Sequence, residues 1–160
     1  MAARQSAGLL MYHFRNGKLE VLLVHPGGPY FRKKDEGAWS IPKGLMEKDE
    51  EPLSAALREF EEETGIKPAG PYLDLGTVRQ KSGKIVHAWA FQGDWDSSRP
   101  IHSNEFEMEW PPHSGKKQRF PEIDRAGFFT PEEAKKKINP AQAAFIDRLV
   151  GKLRELGELE

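Results

Sequence analysis

The sequence predicts an α/β fold in which helices pack on both faces of a mixed β-sheet. Near the amino terminus, two runs of β-forming residues flank an Asn-Gly pair, the strongest short signal for a β-hairpin. Residues 52–64 have an amphipathic helical pattern with Pro at the start and Gly after the end. Further helical patterns fill the carboxy-terminal part. We expect the 52–64 helix on one face of the sheet and the carboxy-terminal helix on the other.

Length and composition are those of one globular domain, which we expect to span residues 1–160. The chain is 38% hydrophobic and 31% charged, which excludes fibrous, collagen-like and wholly disordered proteins. Lys and Arg number 24 against 25 for Asp and Glu, so no overall field attracts nucleic acid or a membrane. We therefore expect a small-molecule ligand and no stable binding of nucleic acid.

Cysteine is absent from the sequence, which excludes disulfides, a thiolate nucleophile and Cys-ligated zinc. The absence also favours a reducing compartment. No apolar run has the length of a signal sequence or of a membrane span. We expect a cytoplasmic protein that does not enter a membrane.

The first elements in chain order are a hairpin, a loop and a helix. Strands are predicted over 6–14 and 19–25, around the Asn-Gly turn. Residues 26–37 are rich in Gly, Pro and charge, which predicts an exposed loop. The helix over 52–64 has Pro52 in its first turn, where a missing N–H costs nothing, and Gly65 at the left-handed position after its end.

The next elements are strands. Residues 72–79 and 84–93 predict a second strand pair. Residues 105–110 alternate strictly, with Glu on one face and Phe106, Met108 and Trp110 on the other.

Loop, strand and helix patterns complete the chain. Residues 111–121 are polar and rich in Pro and Gly, so they are predicted as a loop, and 126–129 as a last strand. Helices are predicted over 131–137 and 140–156. The second should pack on the sheet through Ala144, Phe145, Leu149, Val150 and Leu153.

Glu59, Glu62 and Glu63 cluster beside the apolar stripe of the 52–64 helix. Like charges at these spacings each cost roughly 0.2 to 0.5 kcal/mol, so a cation should compensate. Arg58 offsets part of the charge, and clustered carboxylates are donors that Mg²⁺ and Mn²⁺ prefer. Taken alone, the helix has a second interpretation, a solvated acidic face.

The segment around this helix resembles the signature of the Nudix hydrolases. That signature is Gly, five residues, Glu, seven residues, then Arg-Glu-apolar-x-Glu-Glu-x-Gly-apolar, and every fixed position is present from Gly44 to Ile66. The resemblance implies a Nudix-type α/β/α sandwich. It also implies an enzyme that uses water and a divalent metal ion to cleave the pyrophosphate linkage of a nucleoside diphosphate joined to another group.

The resemblance assigns roles to individual residues. Glu50 and Arg58 would be supporting residues, with Arg58 orienting Glu50 and a neighbouring carboxylate. Metal ions at such a site neutralise phosphate charge and lower the pKa of bound water. The implied ligands of Mg²⁺ or Mn²⁺ are Glu59, Glu62, Glu63 and the Gly44 carbonyl.

The sequence does not decide which residue is the general base. In Nudix enzymes it is a signature Glu or a carboxylate from a later loop or strand. Glu107 and Glu109 on the acidic strand are preferred, and Glu105 and Glu122 are further candidates. An exposed sheet face is the alternative interpretation of the strand glutamates.

Lys43 directly precedes Gly44 in Trp39-Ser-Ile-Pro-Lys-Gly. This resembles the lead-in of Nudix enzymes that act on dinucleoside polyphosphates or diphosphoinositol polyphosphates. A lysine here would bind an extended phosphate chain, so dinucleoside or nucleoside polyphosphates rank first. The Tyr common beyond the signature in dinucleoside enzymes is replaced by residues 80–83.

Other functions therefore remain as alternatives. ADP-ribose, nucleoside triphosphates and diphosphoinositol polyphosphates are alternative substrates. A nucleotide-binding regulator without activity is a different class of function, against which the complete signature argues.

Loops and aromatic residues supply further candidates for substrate binding. Arg79 and Lys81 flank a predicted hairpin tip and could reach phosphates. Aromatic faces can stack on bases, although buried packing is the alternative for Trp39 and Trp89. The aromatic candidates are Trp39, Tyr30, Phe31, Trp89 and Trp110, and no zinc-ligand spacing links His25, His87, His102 or His113.

Overall fold

The structure is a computed structural model that describes residues 4–96, 101 and 103–160, so His102 lies outside the described residues. Three helices are present in these ranges: α1 (Pro52–Thr64), α2 (Pro131–Lys137) and α3 (Ala143–Glu155). The strands are β1 (Gln5–Arg15), β2 (Lys18–Pro26), β3 (Lys43–Leu45), β4 (Leu73–Arg79), β5 (Ile85–Gln92), β6 (Glu105–Glu109), β7 (Lys117–Pro121) and β8 (Ile123–Phe129).

The main sheet has the strand order β4-β5-β1-β2-β8, and β3 pairs with the start of β1. β1 runs parallel to β5 and antiparallel to β2 and β3. The sheet is therefore mixed, as predicted. β6 and β7 form a separate two-stranded sheet.

Side chains of β1 alternate between two hydrophobic cores. Leu9 and Met11 belong to the core that contains Phe60 of α1. Leu10 belongs to the core that contains Phe145 of α3. Because neighbouring residues of a strand point to opposite faces, α1 and α3 cover opposite faces of the sheet, which confirms the predicted sandwich.

Local signals correctly predicted the first hairpin and α1. Asn16 and Gly17 both have positive φ, 52° and 77°, as a tight hairpin turn requires. α1 begins at Pro52 and ends before Gly65, whose φ is 75° and whose N–H donates to the Glu61 carbonyl at 2.8 Å.

Three features differ from the predictions. Residues 111–121 are not entirely a loop, because β7 pairs with β6 from Glu105 opposite Pro121 to Glu109 opposite Lys117. β3 was not predicted as a strand. The predicted 140–156 helix divides into a short 3-10 turn, Pro140–Gln142, and α3. In the described part of the chain, no helix has the length and apolar character that crossing a membrane would require.

Candidate active site

α1 and β3 meet at Gly44, beside the Glu59 carboxylate. A Cβ atom added to Gly44 would lie 2.0 Å from Glu59 Oε2. A side chain here would displace the Glu59 carboxylate, so glycine allows β3 to lie beside α1 with the carboxylate in this position. The contact brings the backbone of Gly44 against a carboxylate of the helix.

Arg58 connects the loop before α1 to the glutamates of the helix. Its Nε and Nη2 each donate to a different oxygen of Glu50 at 2.9 Å. Its Nη1 donates to Glu59 Oε1 at 2.9 Å and to Glu62 Oε2 at 3.3 Å. The hydrogen bonds from Arg58, followed by one from the backbone N–H of Glu47, lower the pKa of Glu50 to about 2.

Glu63 is half-buried and accepts a hydrogen bond from the backbone N–H of Lys43 at 3.0 Å. Burial, followed by the charge of Glu59, raises the pKa of Glu63 to about 8. Burial also raises the pKa of Glu59, although the nearby Arg58 opposes this. The surroundings of both carboxylates therefore disfavour their charged forms.

Glu122, which directly precedes β8, adds a fourth carboxylate to Glu59, Glu62 and Glu63. Burial and then the charge of Glu62 raise its pKa. Glu122 in turn raises the pKa values of Glu59 and Glu63. The sequence offered Glu122 only as one further candidate for the general base, because no local signal links it to α1.

A cleft of about 170 Å³ opens beside these carboxylates. Lys43 lines it and is half-buried. Burial, followed by the charge of Lys84, lowers the pKa of Lys43, whereas Glu63 and Glu59 act in the opposite direction. The other lining residues are Val24, Pro26, Ser40, Ile41, Glu63, Glu122 and Ile123.

The donor chemistry of the site fits a hard divalent cation. Within the described residues, no three His, Cys, Asp or Glu side chains are gathered into a metal-binding group. Glu59 and Glu62 instead bond to Arg58, and Glu63 bonds to the Lys43 N–H. Yet the donors are all oxygens, the charges of neighbouring glutamates raise the pKa values of Glu59 and Glu63, and Gly44 lies against Glu59, all of which favour Mg²⁺ or Mn²⁺.

Glu107 and Glu109 lie on β6, away from the sheet that carries α1. Glu107 is 3.8 Å from Lys117 Nζ on β7, and Glu109 accepts a hydrogen bond from the His113 N–H at 2.8 Å. These contacts belong to the β6–β7 hairpin. Of the later carboxylates considered, Glu122 is the one in the cleft.

The candidate residues for substrate binding are spread over several regions. Trp39 is only 5% exposed, and its Nε1 donates to Asp35 at 2.8 Å, so its ring belongs to the core. Arg79 ends β4 and donates to the Gly83 carbonyl at 3.4 Å. Lys81 lines a different pocket, together with residues 139–141. Among the lysines, it is Lys84 rather than Lys81 whose charge lowers the pKa of Lys43.

Replacing Glu50 with glutamine should make the stability of the protein less dependent on pH in acid. The pKa of Glu50 falls from 4.5 to about 2 on folding, so the unfolded chain binds more protons between these values. Its stabilising contribution is therefore present above 4.5 and lost as the pH falls towards about 2. The variant should have a lower Tm at pH 6 and a shallower decline of Tm below pH 5, measured by thermal unfolding.

Glu61→Gln is the matched control, because Glu61 is an exposed glutamate on α1. It should keep the acid dependence of the wild-type protein. An unchanged Tm and an unchanged acid slope in Glu50→Gln would contradict a stabilising Glu50–Arg58 pair.

Comparison with known proteins gives a match over most of the chain. A family model described as NUDIX domain matches residues 4–149. An RNA pyrophosphohydrolase of Roseobacter denitrificans is 44% identical over 52 residues, which are 30% of this chain and 32% of that protein. The chain thus spans about a third of the length of the curated relatives it matches.

Solved structures share the fold over nearly the whole chain. An Ap4A hydrolase from C. elegans, in a binary complex, superposes with a TM-score of 0.65 at 21% identity, covering 96% of this chain and 99% of that one. The NUDIX domain of Shewanella oneidensis NrtR, complexed with ADP ribose, has a TM-score of 0.65 at 15% identity, covering 96% and 90%. At these identities the similarity concerns the fold.

Proposed function

This chain belongs to the Nudix family, and we propose that it is a metal-dependent enzyme that hydrolyses a pyrophosphate bond in nucleoside polyphosphates, dinucleoside polyphosphates first. The observation that carries the proposal is the convergence of Glu59, Glu62, Glu63 and Glu122 beside a cleft that also contains Lys43. Such a site offers oxygen donors to a divalent cation and a positive charge to a phosphate.

Glu59, Glu62, Glu63 and the Gly44 carbonyl would hold Mg²⁺ or Mn²⁺, as the family signature implies. The bound ion would neutralise phosphate charge and make a bound water more acidic. Arg58 would position a metal ligand rather than bind the substrate, because its hydrogen bonds to Glu50 and Glu59 fix the orientation of the Glu59 carboxylate.

Glu122 is our choice for the general base, in preference to Glu107 and Glu109. It lines the cleft with Lys43 and Glu63, and burial raises its pKa. A carboxylate with a raised pKa is a better acceptor for the proton of the attacking water. The water oxygen then bonds to phosphorus, the phosphoanhydride P–O bond breaks, and two phosphate products leave.

Lys43 and Lys84 favour a substrate with several phosphates. The charge of Lys84 is close enough to lower the pKa of the half-buried Lys43. Two neighbouring ammonium groups repel each other unless an anion lies between them, and a polyphosphate chain supplies such anions. ADP-ribose, nucleoside triphosphates and diphosphoinositol polyphosphates are the alternative substrates.

The 5′-triphosphate end of an RNA chain is a second candidate. The observation that favours it is the relative named RNA pyrophosphohydrolase, which is 44% identical over the matched segment. The triphosphate of such an end would meet the same carboxylates and the same lysine. RNA would be bound only at its end, in keeping with the nearly neutral charge of the chain.

A panel of substrates tests the proposal. We expect hydrolysis with Mg²⁺ or Mn²⁺, loss of activity with EDTA, and the highest kcat/KM for a dinucleoside polyphosphate, with products identified by chromatography. A preference for 5′-triphosphate RNA would select the second candidate. Nucleotide binding without hydrolysis of any substrate would overturn the enzyme proposal and favour a regulator.

A further inference from the structure

Tyr30 and Trp110 form an exposed aromatic pair, here called the aromatic platform, to one side of the candidate active site. Their ring centroids are 5.4 Å apart with an interplanar angle of 80°. Tyr30 lies in the loop after β2 and is 58% exposed. Trp110 follows β6 and is half-buried. The Tyr30 ring therefore presents aromatic surface to solvent.

Contacts on both sides hold the platform in place. The loop that carries Tyr30 packs on the β6–β7 hairpin, because a Cβ on Gly28 would lie 2.9 Å from the Phe106 ring. The other end of this loop is fixed by His25, a buried side chain whose Nε2 lies 2.6 Å from the Lys34 carbonyl. Tyr30 thus lies between two anchored points of the chain.

The loop that carries Tyr30 is joined by a hydrogen bond to a residue that lines the cleft. Pro26 and Glu122 line the cleft, and the N–H of Gly27 donates to the Glu122 carbonyl at 2.9 Å. On the hairpin side, β6 pairs Phe106 with Phe120, two residues before Glu122, and Trp110 follows the end of β6, four residues after Phe106. At 3.3 Å per residue, four extended residues correspond to about 13 Å, a distance that an extended polyphosphate substrate can cover.

Positive charge surrounds the platform. Arg32 and Lys33 are exposed two and three residues after Tyr30, and Lys34 Nζ lies 5.5 Å from the Phe31 ring. Two of the nearby acidic groups have basic partners. Glu105 is 3.4 Å from Arg119, and Asp35 bonds to Lys137. Aromatic faces beside basic side chains are the arrangement that binds bases of phosphorylated ligands.

Packing of the hairpin does not account for the exposure of Tyr30. The half-buried Trp110 and the Phe106–Phe120 contact, with centroids 6.0 Å apart, already give the hairpin an apolar side. A tyrosine that leaves 58% of its surface in water adds little to this burial. A stacking ligand would use the surface that packing leaves exposed.

We propose that a nucleobase at the end of the substrate away from the cleaved bond stacks on the exposed ring of Tyr30, which the edge-to-face contact with Trp110 holds in position. This inference rests on the proposed function. The base could come from the second nucleoside of a dinucleoside polyphosphate or from the second nucleotide of an RNA chain. Both sources offer the same chemistry, an aromatic base joined through phosphates to the group in the cleft.

The test compares two substrates with equal numbers of phosphates, diadenosine tetraphosphate and adenosine tetraphosphate, which lacks the second base. Tyr30→Leu should raise KM for diadenosine tetraphosphate about tenfold, since stacking on one base contributes that much or more. KM for adenosine tetraphosphate should stay within about twofold, and Tyr30→Phe should behave as wild type. Equal losses on both substrates, or no loss on either, would overturn the platform.

A second experiment, with RNA substrates, distinguishes the two possible sources of the base. A 5′-triphosphate oligonucleotide and its counterpart with an abasic second nucleotide should differ in KM for the wild-type protein if RNA is the source. If a dinucleoside polyphosphate is the source, Tyr30→Leu should raise KM for diadenosine tetraphosphate and leave KM for both oligonucleotides unchanged.

Equilibrium binding distinguishes a failure of this inference from a failure of the proposed function. Quenching of Trp fluorescence by diadenosine tetraphosphate requires no turnover, so it reports on the platform even in an inactive protein. Tyr30→Leu should weaken this binding about tenfold and leave the binding of adenosine tetraphosphate unchanged. Equal affinities of wild type and variant for diadenosine tetraphosphate would overturn the inference whether or not the protein hydrolyses it.

Discussion

Replacing Glu63 with glutamine should lower kcat by roughly two orders of magnitude or more and leave the fold intact. Glu63 is half-buried, and its environment opposes its charge in the absence of a cation. Under the proposed function, we expect this charge to serve metal binding rather than stability. The amide keeps the shape of the side chain but is a weak ligand for Mg²⁺, so the loss should appear in kcat measured with saturating substrate.

The stability of the same variant gives an independent measurement. Glutamine has no charge to desolvate, so the Tm of the metal-free variant at neutral pH should equal or exceed that of the wild-type protein. Glu61→Gln, an exposed position of the same helix, should change neither kcat nor Tm. Full activity in both Glu62→Gln and Glu63→Gln would refute the metal assignment.

The elements that the sequence predicted correctly are those defined by local chemistry. α1 has Pro52 in its first turn and Gly65 at the left-handed position after its end. The first turn has two residues that tolerate positive φ, Asn16 and Gly17. Each signal acts within a few residues, so it can be detected without knowledge of the fold.

β7 could not be predicted in this way, because its partner rather than its own sequence makes it a strand. The strand begins with three exposed polar residues, Lys117, Gln118 and Arg119, and Phe120 is its one partly buried residue. Its own sequence therefore lacks the alternation of buried and exposed residues that predicts a strand. Pairing with β6 places Lys117 opposite Glu109 and Arg119 opposite Glu107. The acidic face of β6 therefore has a basic partner, a relation between segments that neither segment reveals alone.

The part of the candidate site that lies on α1 was predictable from the sequence. The spacing of Glu59, Glu62 and Glu63 follows from helix geometry, and their spacing to Arg58 follows from the same rule. Glu122 is separated from them by about 60 residues of sequence and joins them only through the order of strands β2 and β8. Sequence alone offered it as one of several carboxylates.

Aromatic residues show the same limit. Trp39 and Tyr30 are both in or near the loop after β2, yet Trp39 is 5% exposed and Tyr30 is 58% exposed. Long-range contacts decide the difference, since Trp39 packs on Phe129 of β8 with ring centroids 5.0 Å apart. The two roles, core packing and an available stacking surface, are assigned by the fold.

The charges of the site divide into two groups with different tasks. Arg58 bonds to Glu50, Glu59 and Glu62 and is held within the protein. Lys43 lies in the cleft, where the charge of Lys84 lowers its pKa and the charges of Glu63 and Glu59 act in the opposite direction. A ligand can therefore reach Lys43, whereas the bonds of Arg58 are directed at the protein.

Replacing Lys43 with alanine should lower kcat/KM more for a long polyphosphate than for ADP-ribose. If Lys43 binds a phosphate beyond the cleaved bond, the contact exists only when that phosphate is present. A hydrogen bond to a charged group contributes roughly 1.5 to 3 kcal/mol, or about tenfold to a hundredfold in kcat/KM. Steady-state kinetics on both substrates would measure the difference directly.

Alanine is a suitable replacement because it keeps the Cβ of Lys43, which lies 2.6 Å from the position that a Cβ on Gly8 would take. Lys67→Ala, at an exposed lysine after α1, controls for a general loss of positive charge and should affect neither substrate. Lys43→Arg should recover part of the activity on the polyphosphate, since it restores a cation with a different geometry. An equal loss on both substrates in Lys43→Ala would mean that Lys43 only supports β3, and the preference for polyphosphates would lose its main argument.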